Sequence, residues 1–62
     1  MSPTTLTKRE WEVARLASIG VSNKGIARVL DLAEGTVKVH LHTIMQKLGV
    51  KNRTALATII LE

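Results

Sequence analysis

The chain has 62 residues, no cysteine, a single aromatic residue (Trp11) and a formal charge of +4. This length supports one small domain that buries only about 60% of the surface its unfolded form exposes, and the missing cysteines exclude a disulfide staple or a thiolate metal site, which fits a reducing cytoplasm. No run nears the roughly 18 apolar residues that cross a bilayer and no signal-peptide pattern is present, while one aromatic ring is too few for a platform that stacks single-stranded nucleic acid.

Four helices are predicted in chain order. Thr7-Lys8-Arg9-Glu10 has capping-box spacing, with Leu6 and Trp11 at the staple positions, so a first helix begins at Thr7, runs to about Ile19 and stops at Gly20. Ser22 is an N-cap for a short helix from Asn23 to about Leu30, with Ile26, Ala27 and Leu30 facing inward. The turn Asp31-Leu32-Ala33 leads to a third helix from Glu34 to about Leu48, which Gly49 ends in the left-handed conformation. Asn52 caps a fourth from Arg53 toward the C-terminus, whose core stripe reads Leu56, Ile59 and Ile60, with Ala57 and Leu61 lying off it. The predicted fold class is all-α, a four-helix domain over 1–62 with a helix-turn-helix at its centre.

The third helix is the informative one. Val37, Leu41, Ile44 and Leu48 make a core stripe, and the far side carries Gly35, Lys38, Val39, His42, Thr43 and Gln46. Val39 lies about 160° from the stripe's centre. A lone exposed apolar residue is ordinary, so the feature is equally a plain surface valine or part of a contact face. The charge distribution adds to it: Lys24, Arg28, Lys38, Lys47, Lys51 and Arg53 stand against only Asp31 and Glu34 between 22 and 53, which holds the chain's positive excess and favours a polyanionic partner.

The segments LTKREWEV at 6–13, SNKGIARVL at 22–30, EGTVKVH at 34–40 and KLGVKNRTALA at 47–57, with Gly20 between the first two, resemble the LuxR-type helix-turn-helix, also found as the output domain of NarL/FixJ response regulators. The resemblance covers nearly the whole chain. It departs from the family at Gly25, where Glu is usual, at Ala33, where Ser or Thr is usual, and at His42, often Lys or Arg. The first two weaken helix starts, so Gly25→Glu and Ala33→Ser are each expected to stabilise. His42 bears on which DNA sequence is preferred.

The resemblance implies double-stranded DNA as partner, with the third helix in the major groove. Lys38, Val39 and His42 are then the base-reading residues: lysine donates to guanine O6 or N7, histidine pairs with a purine edge, and the valine methyls meet a thymine methyl. Ser22, Asn23 and Lys24 open the second helix, where free N–H groups attract a phosphate, although capping alone also explains Ser22. Thr36 and Arg53 are phosphate contacts by resemblance, as is Gln46. His40 is either a phosphate contact or a packed histidine, and Lys47 and Lys51 are either backbone contacts or solvated charges.

Ala57 and Leu61 on the fourth helix are the candidate pairing residues of a homodimer on DNA, against the alternative of a frayed terminus. Trp11 reads as a staple or partly exposed packing residue. The resemblance also implies a separate N-terminal regulatory domain if the chain is a fragment. His40 and His42 point about 200° apart and so cannot chelate one ion. No cofactor and no catalytic set is called for, and the chain is not expected to be an enzyme. The alternatives carried are the promoter-reading helix-turn-helix of a sigma-like factor and a protein-interaction module built on Trp11 and the fourth helix.

Overall fold

Helix starts follow the side chains that can satisfy free first-turn N–H groups. In the computed structural model, which describes residues 6–61, Thr7 Oγ1 accepts from Glu10 N at 3.1 Å and Glu10 Oε1 accepts from Thr7 N at 2.9 Å, a complete capping box that opens α1 (Lys8–Ser18). Ser22 Oγ accepts from Gly25 N at 3.1 Å to open α2 (Asn23–Leu30), and Asn52 Oδ1 accepts from Ala55 N at 2.8 Å to open α4 (Arg53–Leu61). The long α3 (Glu34–Leu48) begins at Ala33, whose backbone is extended as a cap requires but whose methyl accepts no bond.

Chain reversals end the helices. Asp31 takes a left-handed φ of 58° after α2, a conformation that Asp tolerates better than most residues, and Leu32 N closes on Ala27 O at 2.8 Å. Gly49, at φ 69°, closes α3 while Val50 N reaches back to Met45 O at 3.0 Å, the left-handed stop that glycine adopts without a Cβ penalty. The described residues contain no strand, as the all-α prediction requires. The outer ends of the predicted 1–62 domain lie outside them.

Every helix gives at least one fully enclosed side chain to one core: Val13, Ile26, Val37, Ile44 and Leu56. Leu6, Ala14, Ala17, Ala27 and Leu41 complete it, and Leu30 and Leu48 pack against it half-buried. α1 is the hub, packed on the other three helices, and α2 packs on α3. The predicted inward stripe of α3 is therefore the observed one.

Two expectations change, at Ile59 and Gly25, and the alternatives left at Trp11 narrow. Ile59 does not face the core: α4 is turned so that the row Leu56–Ile60 meets α1, leaving Ile59 to one side and 43% exposed. Of the two readings of Trp11, the partly exposed packing residue fits: it is 47% exposed, with Leu16, Ile60 and Leu61 along the same groove. Gly25 is a close approach as well as a missing cap, because a Cβ there would lie 2.8 Å from Val21 Cγ1.

Candidate nucleic-acid interface

Burying Val37, Leu41 and Ile44 turns the opposite side of α3 to solvent. Lys38, His42, Gln46 and, in the first turn, Thr36 are exposed, and Val39 is 64% exposed among them. His40 and Thr43 are half-buried on the flanks. A β-branched residue is stiff at χ1, so Val39 presents its methyls from a fixed position beside the longer or more mobile donors Lys38 and His42. This stripe gathers all three predicted base-reading residues on one helix face.

The opening of α2 combines exposed Ser22 and Lys24 with half-buried Asn23. Asn23 is tied to Arg53. The guanidinium, half-buried at the first position of α4, donates through Nη1 to Asn23 Oδ1 at 2.8 Å and through Nη2 to Val21 O at 2.7 Å, with Ala17 O at 3.4 Å. Of the predicted phosphate set, Ser22, Lys24, Thr36 and Gln46 are on the surface, while Asn23 and Arg53 form an internal pair.

Lys47 has a partner far from it along the chain. Its Nζ donates to Glu10 Oε1 at 2.8 Å, the same oxygen that completes the capping box. Glu10 is only 6% exposed. The hydrogen bond from Lys47, followed by that from the Thr7 backbone, holds the Glu10 carboxyl below its ordinary value of 4.5 against the opposing effect of burial. Lys51 is exposed. Neither the Glu10–Lys47 pair nor the Arg53 fork is visible to sequence reasoning, because their partners are 37 and 30 residues apart; the one available sign was the glutamate of the capping box.

On the other side of the domain's hub, α4 leaves Leu61 58% exposed and Ala57 half-buried, and a groove between α1 and α4 is lined by Trp11, Arg15, Leu16, Ile19, Ile60 and Leu61. No helix among the described residues is long and apolar enough to cross a membrane.

A short capped helix, a tight turn and a longer helix with one enclosed stripe and one basic, solvent-facing stripe define a helix-turn-helix domain of a transcription regulator. The chain matches the model of the luxR family of bacterial regulatory proteins over residues 4–60, and it belongs to that family, whose members found here are transcription regulators and not enzymes. It is 42% identical over 59 residues to the nitrate/nitrite response regulator protein NarP of Escherichia coli strain K12, covering 95% of this chain and 27% of NarP. It is 51% identical over 49 residues to the CsgBAC operon transcriptional regulatory protein of the same organism, covering 79% of this chain and 23% of the relative. With the HTH-type transcriptional regulator MalT of Klebsiella pneumoniae strain 342 the identity is 50% over 48 residues, covering 77% of this chain and 5% of MalT. The chain thus spans about a quarter of the first two relatives and a small part of the third.

Proposed function

We propose that this chain is the sequence-specific, double-stranded DNA-binding output domain of a bacterial transcription regulator, with α3 lying in the major groove. Lys38, Val39 and His42 read base edges, and Ser22, Asn23, Lys24, Thr36, His40 and Gln46 meet the phosphates. Arg53 is left out of the phosphate set because its guanidinium already serves three internal acceptors. The observation that carries the reading is the solvent-facing stripe of α3, in which a stiff apolar residue opposite the enclosed stripe lies beside the donors Lys38 and His42.

Two domains pair through Ala57 and Leu61 of α4 on adjacent half-sites, in the cytoplasm. If the chain is a fragment, a separate regulatory domain lies N-terminal to it in the same polypeptide, a reading supported by the greater length of the relatives. Selection of bound duplexes from a random pool, followed by titration of the enriched sequence over a salt series, tests the reading: binding that weakens steeply with salt and prefers the enriched sequence is expected. Enrichment of nothing over the starting pool refutes it and leaves the exposed surface of Trp11 and α4 to a protein partner.

A further inference from the structure

We infer that Arg53 is a positioning residue that fixes α4 against the helix-turn-helix, and so sets which spacing of half-sites a pair of domains accepts. The inference rests on the pairing through α4 proposed above. It begins from how α4 is held. Leu56 is enclosed and Ile60 half-buried against α1, but apolar packing is non-directional and sets the roll and slide of a nine-residue helix less sharply than directional bonds do. Directional bonds remove the freedom that remains.

Among the described residues, the side-chain hydrogen bonds that tie α4 to the rest of the fold come from Arg53. Its planar fork reaches three separate places: the last turn of α1 at Ala17 O, the α1–α2 turn at Val21 O, and the first residue of α2 at Asn23 Oδ1. A rigid fork with acceptors at two well-formed distances of 2.7 and 2.8 Å admits one orientation of the α4 start relative to α2. α2 packs on α3, so the same contact fixes the pairing helix relative to the recognition helix. In a two-fold pair that relation decides how far apart, and at what mutual rotation, two copies of α3 are presented. One base pair of altered spacing rotates a half-site by about 35° around the duplex, more than a rigidly held pair follows.

Arg53→Lys is the discriminating variant. It keeps the charge, but an ammonium on a flexible stem cannot hold both acceptors in one plane. Anisotropy titrations would use the selected half-site alone, then two copies at the best spacing, and then one base pair closer and farther. The expected result is single half-site affinity within about twofold of the parent with an unchanged salt slope, while a spacing preference of about tenfold in the parent falls to about twofold. Loss of more than about tenfold in single half-site affinity for Arg53→Lys, or a salt slope lower by about 0.9 for the charge-removing Arg53→Gln, would make Arg53 a direct phosphate contact and overturn the inference. An unchanged spacing preference overturns it too.

Failure of the underlying reading looks different. A parent that binds no duplex refutes DNA binding itself, and one that fills paired sites without cooperativity refutes pairing through α4; in both cases the inference falls with it. A measurement on the unaltered protein covers the case in which the variant does not fold. A held fork requires separate, slowly exchanging proton–nitrogen signals from Nη1 and Nη2 of Arg53 at low temperature, and a single averaged signal overturns the clamp.

Discussion

Lys47 Nζ and Glu10 Oε1 meet at 2.8 Å and thereby join the last turn of α3 to the first turn of α1. The oxygen is shared with the Thr7 amide, so one carboxylate oxygen serves both the ion pair and half of the capping box. Lys47→Met leaves a nearly enclosed carboxylate without its principal partner. At neutral pH the melting temperature is expected to fall by roughly 4–8 °C, the shift per kcal/mol for a domain this small.

The same pair makes the stability depend on acid. Glu10 titrates below its ordinary value of 4.5 in the folded protein, chiefly because of the hydrogen bond from Lys47, so the unfolded chain takes up the proton first as the pH falls. The stabilisation is full above about 4.5 and is lost as the pH drops through the lowered native value. Thermal melts of parent and Lys47→Met should differ most at neutral pH and converge in that acidic window. A gap that stays constant down to full protonation would mean that the lysine acts through its alkyl chain and not through its charge.

The two weak helix starts respond in opposite directions. At Ala33 the backbone is already extended as an N-cap requires and no side chain accepts a bond, so Ala33→Ser should stabilise by about 1 kcal/mol. At Gly25 helix propensity also argues for replacement, by up to about 1 kcal/mol. There, however, a Cβ would stand 2.8 Å from Val21 Cγ1, and a β-branched side chain that is half-buried cannot simply swing aside. Overpacking of this kind costs about 1–3 kcal/mol. Gly25→Glu is therefore expected to lower the melting temperature, and Val21→Ala, a poor change alone, should cancel most of that loss in the double variant.

This contrast marks what the sequence could carry. The Thr7, Ser22 and Asn52 caps, the left-handed stop at Gly49 and the division of α3 into an enclosed and an exposed stripe all depend on residues within about four positions of one another, where helix periodicity and cap chemistry operate. Gly25 and Val21 are just as close, yet their contact depends on the turn leading into α2, which no periodicity describes. Ile59 was misplaced because the roll of α4 on α1 is a packing angle. The Glu10–Lys47 and Asn23–Arg53 bonds join helices that meet only in the folded chain, so the residues were legible as charges and caps, but not as partners.

Recognition should separate from attachment. Lys38 and Val39 lie on the exposed stripe of α3, and Lys24 on the second residue of α2. Lys38→Ala or Val39→Ala is expected to cost about 1–3 kcal/mol on the selected duplex and to relax preference at particular base pairs. Lys24→Ala should weaken all sequences alike and lower the salt slope by about 0.9. Competition titrations with single-base variants of the duplex read both effects, and unchanged base preference in both α3 variants would remove α3 from the major groove.

Pairing is tested at Leu61. Its side chain is 58% exposed on the last turn of α4, with Ala57 one turn earlier, so the two share a row that the row Leu56–Ile60 keeps off the core. A domain of this size has a small core and no disulfide, and burying that row against a second copy removes apolar surface from water at about 25 cal/mol per Å². Two recognition helices related by a two-fold axis enter the same side of the duplex when half-sites lie about 10 base pairs apart. Leu61→Asp places a carboxylate against its own symmetry mate, so like charges meet where apolar contact is required. α4 packs on α1, and the residue is on a different helix from the α3 stripe, so binding to a single half-site should be nearly unchanged while cooperative filling of the paired site is lost. The measurement is a titration of one-half-site and two-half-site duplexes with both proteins at one salt concentration. Equal cooperativity in Leu61→Asp and parent would exclude α4 as the contact between copies.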